Sequence, residues 1–301
     1  MSATVLVLGG SGKIGRHATR AFAQAGWTVR QFDRRADDMT TAAMGADVIV
    51  NGLNPPAYHD WAKIIPAITA EVIAAANASG ATVIIPGNVY NFGNRPGTWD
   101  ERTPPQPCSR KGRIRVEMEA AYRDAGVRTV ILRAGNFIDP EQNGDIMSLV
   151  LMRSIRKWRI TYPGDPATMQ AYAYLPDWAR AAVMLAESRE RLAAFEDVPL
   201  GGLAFSADDL AAHLTSVLGT DVKITGFPWW LFRLTAPFWE LAREMLEMRY
   251  LWNTDHRLSD TRLGVLLPEF RPVAKEIAMA AGLPRDIHPD NAVPADLRVA
   301  T

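Results

Sequence analysis

The sequence predicts an α/β protein built on a doubly wound parallel sheet, with a smaller C-terminal α+β lobe. Three observations carry this. Short, nearly continuous apolar runs alternate with helix-period stretches through the first half of the chain. A glycine-rich turn joins the first of these runs to the first helix. Gly26, Gly80 and Gly126 each follow a helical stretch, where a C-terminal stop belongs. Strands that are apolar at every position are buried on both faces, and right-handed crossovers then wind the chain around both sides of the sheet.

The elements follow in order. Strands are predicted at 4–8, 28–32, 47–51, 82–86 and 128–133, and helices at 13–25, 38–44, 61–78 and 113–125. Past Asn136 the pattern changes. A helix is expected over 146–157, strands at 159–162 and 172–175, and a helix over 176–189. From Gly201 a smaller lobe begins, with a strand at Phe205, a capped helix over 208–218, a strand at 222–226 and a helical, aromatic-rich stretch over 229–250. The expected division is a nucleotide domain of residues 1–140 plus about 165–190, and a substrate lobe of 141–164 and 191–301.

Composition narrows the function. Hydrophobic residues make up 48% and charged residues 22% of the chain, and the formal net charge is zero. With no long basic run, nucleic acid is not an expected partner. The single cysteine, Cys108, fits a reducing compartment. The first strand begins almost at once, which leaves no room for a signal peptide, so a cytoplasmic location is expected. No uncharged apolar run reaches membrane-spanning length. Five scattered histidines show no metal-type spacing, so no metal site is assigned.

The chemistry concentrates at the first turn. Gly9-Gly10-Ser11-Gly12-Lys13-Ile14-Gly15 sits between a buried strand and a helix start. The unpaired N–H groups of a helix N-terminus favour an anion, and glycines let a diphosphate approach the backbone. The second apolar run ends at Asp33, where a carboxylate suits a ribose 2′-OH. Asp33 therefore favours NAD. Arg34 and Arg35 directly after it leave NADP possible.

The spacing Gly9-x-x-Gly12-x-x-Gly15 resembles that of the extended and atypical short-chain dehydrogenase/reductases, the superfamily of the sugar-nucleotide epimerases and dehydratases. Three further segments support the resemblance. Asn51-Gly52 and the following Leu53-Asn54-Pro55-Pro56 stand where the family has its H-x-A-A loop. Leu132-Arg133-Ala134-Gly135-Asn136-Phe137 is similar to its R-P-x-N-x-Y turn, and Tyr174-Leu175-Pro176-Asp177-Trp178-Ala179 to its late helix entry. The resemblance implies a Rossmann domain, a nicotinamide cofactor held by Gly9, Ser11, Gly12, Lys13, Ile14, Gly15, Asp33, Arg34, Asn51, Gly52 and Asn136, and hydride transfer at a carbonyl or hydroxyl carbon. The implied substrate is a small molecule, possibly a nucleotide sugar; the C-terminal aromatics would equally suit a bulky apolar one.

Two departures are visible. Only 13 residues separate Asp33 from Asp47, too few for the helix and strand the family normally fits there, so that strand should be missing or a stub. The family's Tyr-x-x-x-Lys acid/base pair is also absent: Lys111 stands at the Tyr position and Arg115 at the Lys position, while Asn88, or Pro86 in the other register, takes the preceding Ser. Arg115 could hold a ribose as a cation but cannot act as a base. Lys111 is either a proton donor with a depressed pKa or a solvated lysine. Tyr90 is either the replacement acid/base or a packed aromatic. A third possibility is dinucleotide binding without turnover, as in a redox sensor. Asn136 reads as loop-stabilising, and Asp177 as a helix cap or first-turn acid.

The run Phe227–Trp252 is dense in Trp, Phe and Met. It reads as a lid, as a homodimer surface or as ordinary packing. Membrane association is not expected, because Glu240, Glu244 and Glu247 would oppose anionic lipid.

Overall fold

The computed structural model describes residues 2–142, 144–284 and 286–288. Six parallel strands form the central sheet in the order β10-β6-β4-β3-β1-β2: β1 (Thr4–Leu8), β2 (Thr28–Phe32), β3 (Val48–Asn51), β4 (Thr82–Gly87), β6 (Thr129–Arg133) and β10 (Phe195–Pro199). The strand alternation distributes the core. Val5 and Val7 pack on one side with α1 (Lys13–Gln24) and α5 (Leu175–Glu187), through Phe22 and Trp178. Leu6 and Leu8 pack on the other with α3 (Trp61–Ser79) and α4 (Arg110–Asp124), through Ile65, Val72, Ile114 and Tyr122. Both faces are thus covered, which is why β1, β3 and β6 are apolar at nearly every position.

β2 is the edge strand. Between it and β3 there is room only for the single-turn-plus helix α2 (Met39–Ala43), begun by Asp38 accepting the Thr41 N–H at 2.7 Å. The short spacing after Asp33 therefore has the expected consequence: the sheet holds no strand outside β2.

The first correction concerns β10. The 191–301 stretch was assigned to the substrate lobe, yet Phe195–Pro199 pairs with β6, Val198 opposite Leu132. Its sequence, Phe-Glu-Asp-Val-Pro, hides a strand behind two acids whose partners are distant along the chain: Asp197 meets Arg133 and Glu196 meets Arg262. A proline and charges are tolerated on an edge strand.

The second lobe is built from small sheets. β7 (Asn136–Ile138), β9 (Gln170–Tyr174) and β11 (Ala204–Phe205) form one; β8 (Arg159–Tyr162) pairs with β12 (Lys223–Gly226), and β5 (Gly97–Trp99) with β13 (His256–Leu258). Tyr172 and Phe205 stack at 3.9 Å in its core. Helix α6 (Ala207–Leu218) starts with a reciprocal capping box between Ser206 and Asp209; α9 (Thr261–Leu266) and α10 (Lys275–Ala280) follow later. Two expected helices are broken. Over 146–157 there is a π turn at Met147–Leu151 and a 3-10 turn at Ile155–Lys157, preceded by Asp145, whose Oδ1 accepts both the N–H and the hydroxyl of Ser148. The 229–250 stretch divides at Pro237 into α7 (Trp229–Thr235) and α8 (Glu240–Glu247).

Candidate nucleotide and proton-transfer site

The turn after β1 has the geometry of a phosphate cradle. Gly9 takes a positive φ of 76° and its carbonyl accepts the Gly12 N–H at 2.9 Å. A Cβ on Gly15 would lie 2.2 Å from the Gly9 carbonyl oxygen, so Gly15 lets the helix close on the turn. Gly12 differs: a Cβ there would meet only that same oxygen, at 3.3 Å, and the residue is exposed beside exposed Ser11. Its bare surface is demanded neither by backbone angle nor by a neighbour, which fits an approaching diphosphate. The first-turn N–H groups of α1, from Lys13 and Ile14, have no partner within the helix by construction. The Lys13 ammonium turns aside to the Gly144 carbonyl at 3.0 Å, and burial lowers its pKa against the pull of Asp145 and Asp139.

Asp33 ends β2 at the surface. Its Oδ1 accepts the Arg35 N–H at 2.9 Å, while Arg34 is exposed. Asn51 faces Leu8 across the β1–β3 pair, and its Oδ1 accepts the Leu53 N–H, ordering the loop that contains Gly52. Asn136 is not the loop residue expected: it opens β7 opposite Tyr172, half-buried, and its side chain makes no hydrogen bond among the described residues. Asp177 is the first-turn acid of α5, bonded to Arg180 and to the Val273 N–H.

The candidate proton-transfer residues gather where the loops after β3 and β4 meet α4. Lys111 is fully buried, and its ammonium is gripped by Glu244 and by Glu247 Oε2 at 2.9 Å, both from α8. The solvated-lysine reading gives way here, since the side chain is buried in an ion-pair cluster that docks α8 onto α4. Asn88 serves the backbone: its Oδ1 accepts the Tyr90 N–H at 3.0 Å.

Arg115 and Tyr90 are brought together. The Arg115 guanidinium lies 4.7 Å over the Trp61 ring and donates to Asn54 Oδ1 at 3.0 Å. It has no carboxylate within ion-pair reach among the described residues, and its buried Nε makes no hydrogen bond. Burial lowers its pKa. The Tyr90 hydroxyl lies 3.1 Å from that of Tyr58. Burial raises the Tyr90 pKa, opposed by the Tyr58 hydrogen bond and by Arg115. Tyr58 is raised well above the ordinary value, first by the charge a Tyr90 phenolate would carry and then by burial.

Tyr58, Trp61, Asn54, Glu244 and Glu247 carried no site role in the sequence. Tyr58 sits in a strained segment: Ala57, Tyr58 and Asp60 all take positive φ, a conformation retained where surrounding structure enforces it. The Pro55-Pro56 pair at the end of the β3 loop was the one local signal of a fixed turn there.

His17, Asp139 and Glu141 bring ligand-type atoms within 4.8 Å of one another, a grouping that sequence spacing concealed. Arg16 and Arg20 bond Glu141 at 2.7 and 2.8 Å, so the cluster works as ion pairs joining α1 to the loop after β7.

The doubly wound sheet, the glycine cradle and the paired loops above it define an extended short-chain dehydrogenase/reductase. The family described as the RmlD substrate binding domain matches residues 3–157, just over half of the chain, and the chain belongs to it. No curated protein matches the sequence. Among solved structures, the chain resembles UDP-glucuronic acid 4-epimerase from Bacillus cereus in complex with UDP-glucuronic acid and NAD (16% identity, TM-score 0.74, covering 93% of this chain and 97% of that one). It also resembles MoeE5 in complex with UDP-glucose and NAD (14%, 0.72, 93% and 97%) and a nucleoside-diphosphate-sugar epimerase from Pseudomonas aeruginosa (16%, 0.69, 94% and 96%). At such identities the likeness is one of fold. No helix among the described residues is long and apolar enough to cross a membrane.

Proposed function

We propose that the chain binds NAD and transfers hydride at an oxygen-bearing carbon of a small substrate, with Tyr90 as proton carrier in place of the family's tyrosine. The observation that carries this reading is the Tyr58–Tyr90 hydroxyl pair beside the unpaired, buried Arg115. When bound, NAD supplies the hydride acceptor. The chain's own residues do the rest. The α1 N-terminus and Gly12 hold the diphosphate, and Asp33 accepts from a ribose 2′-OH. Arg115 offers its free Nε to a ribose or substrate oxygen. Its charge, with the Tyr58 hydrogen bond, favours ionisation of Tyr90. A substrate hydroxyl would give its proton to Tyr90 as hydride leaves the carbon, and Tyr58 would steady the charge. NAD is favoured over NADP because the Asp33 carboxylate would repel a 2′-phosphate. By likeness to the neighbours, a nucleotide sugar is the first substrate class to try.

The docked Lys111 supports a second reading, a dinucleotide sensor without turnover, because the family's acid/base position is occupied by an ion-paired residue. Calorimetry with NADH and NADPH, followed by turnover assays on UDP-sugars and simple ketones, separates the two. Tighter NADH binding and turnover lost in Tyr90→Phe support the enzyme. Binding with no turnover supports the sensor, and tighter NADPH binding overturns the cofactor assignment.

A further inference from the structure

The aromatic run of the second lobe has two faces of opposite character. Inward, Trp229 and Phe232 pack with Phe227 at 4.8 and 4.9 Å, so α7 is anchored to the lobe's own core. Outward, Trp230 is 64% exposed, Leu234 68% and Phe238 93%, with Leu231 and Trp239 also exposed. From Phe227 to Trp239 there is no acidic residue, and the exposed charges of α7 and the adjoining turn are Arg233 and Arg243. The acids that weighed against lipid are paired: Glu240, its side chain 39% exposed, bonds His59 at 2.8 Å, and Glu244 and Glu247 grip Lys111. Arg243 also fixes the turn by donating to the Ala236 carbonyl at 2.9 Å, next to Phe238.

We propose that this face seats the protein on the surface of an anionic lipid bilayer, with Trp230, Leu234 and Phe238 entering the acyl boundary and Arg233 and Arg243 meeting the headgroup charge. Exposed Trp and Phe with arginine beside them, on a short element pinned from behind, is the composition of an interfacial anchor rather than a spanning one. A protein partner is less well matched, because Arg233 and Arg243 have no ion-pair partner among the described residues while Glu240 is paired with His59, so the unpaired charge of this face asks for a surface of one sign, which a bilayer rich in acidic lipid presents everywhere.

The test is co-sedimentation of the full chain with vesicles of phosphatidylcholine alone or mixed equally with phosphatidylglycerol. Wild type should pellet with the mixed vesicles and much less with phosphatidylcholine. Leu234→Glu and Phe238→Glu should each weaken this by about tenfold, and Arg233→Glu by about fivefold on mixed vesicles only. These side chains are exposed, so unchanged thermal unfolding serves as the folding control. Wild type remaining in the supernatant with mixed vesicles would overturn the proposal. So would a dimer in solution that Phe238→Glu dissociates while neither form binds vesicles, since the face would then join two copies of the chain.

Discussion

Replacing Lys111 with methionine removes the cation that docks α8 onto α4 and leaves the carboxylates of Glu244 and Glu247 facing each other. The Lys111 side chain is 0% exposed and that of Glu244 6%, so Glu244 is left buried with one cation fewer beside it. Removing one partner of a buried pair costs about 3–5 kcal/mol. The lower end applies here. Arg110 still bonds Glu244 at 2.7 Å, and the Glu247 side chain, 23% exposed, is partly screened by water. A loss of about 3 kcal/mol lowers the melting temperature of a chain this size by roughly 5 °C. The pH dependence has a definite sign. Burial pushes the Glu247 carboxyl up, but the Lys111 hydrogen bond and charge outweigh it and hold it below its ordinary value of 4.5. A depressed carboxylate stabilises the fold above that value, and the gain disappears as pH falls through the lower, folded one. The Lys111→Met deficit should therefore be full at pH 7 and shrink below about pH 4.5. Urea unfolding of both proteins at neutral and acid pH measures it. Equal midpoints at neutral pH, or a deficit that grows on acidification, would refute the reasoning. Lys111→Met with Glu244→Met should recover at least half of the loss, because an apolar pair replaces a broken one.

Three further outcomes follow from the site. Gly12→Ala should leave urea stability nearly unchanged but weaken NADH binding by about tenfold or more in calorimetry, whereas Gly15→Ala should destabilise the fold, because its Cβ would collide with the Gly9 carbonyl. Tyr58→Phe should raise the pKa of Tyr90, since the hydrogen bond that lowers it is gone; a spectrophotometric alkaline titration in which Tyr90 ionises earlier instead would contradict the assigned direction. Ser109→Ala removes the side chain that accepts the Gly112 N–H at the start of α4 and should cost about 1 kcal/mol in urea unfolding.

Much of the nucleotide half was legible because its signals are local. Val5-Leu6-Val7-Leu8 before Gly9 fixes a buried strand and a tight turn, and the 13 residues between Asp33 and Asp47 leave no space for another strand. β10 was missed because Glu196 and Asp197 break its apolar pattern, and only their distant partners, Arg262 and Arg133, make the strand tolerable. The proton-transfer region was half legible. Tyr90 and Arg115 could be named from their places after β4 and on α4, but Tyr58 could not, because its role depends on a turn that takes left-handed angles and lays its hydroxyl against Tyr90.

By itself the sequence determined the parallel, doubly wound sheet of the first domain and the glycine turn with the carboxylate that follows it, since each is written in residues close together along the chain. Only the tertiary structure decided what Lys111 does, which phenols meet, and which way the acids of α8 face. Those depend on contacts across more than a hundred residues between Lys111 and Glu244, where charge, burial and neighbours are set by packing rather than by spacing.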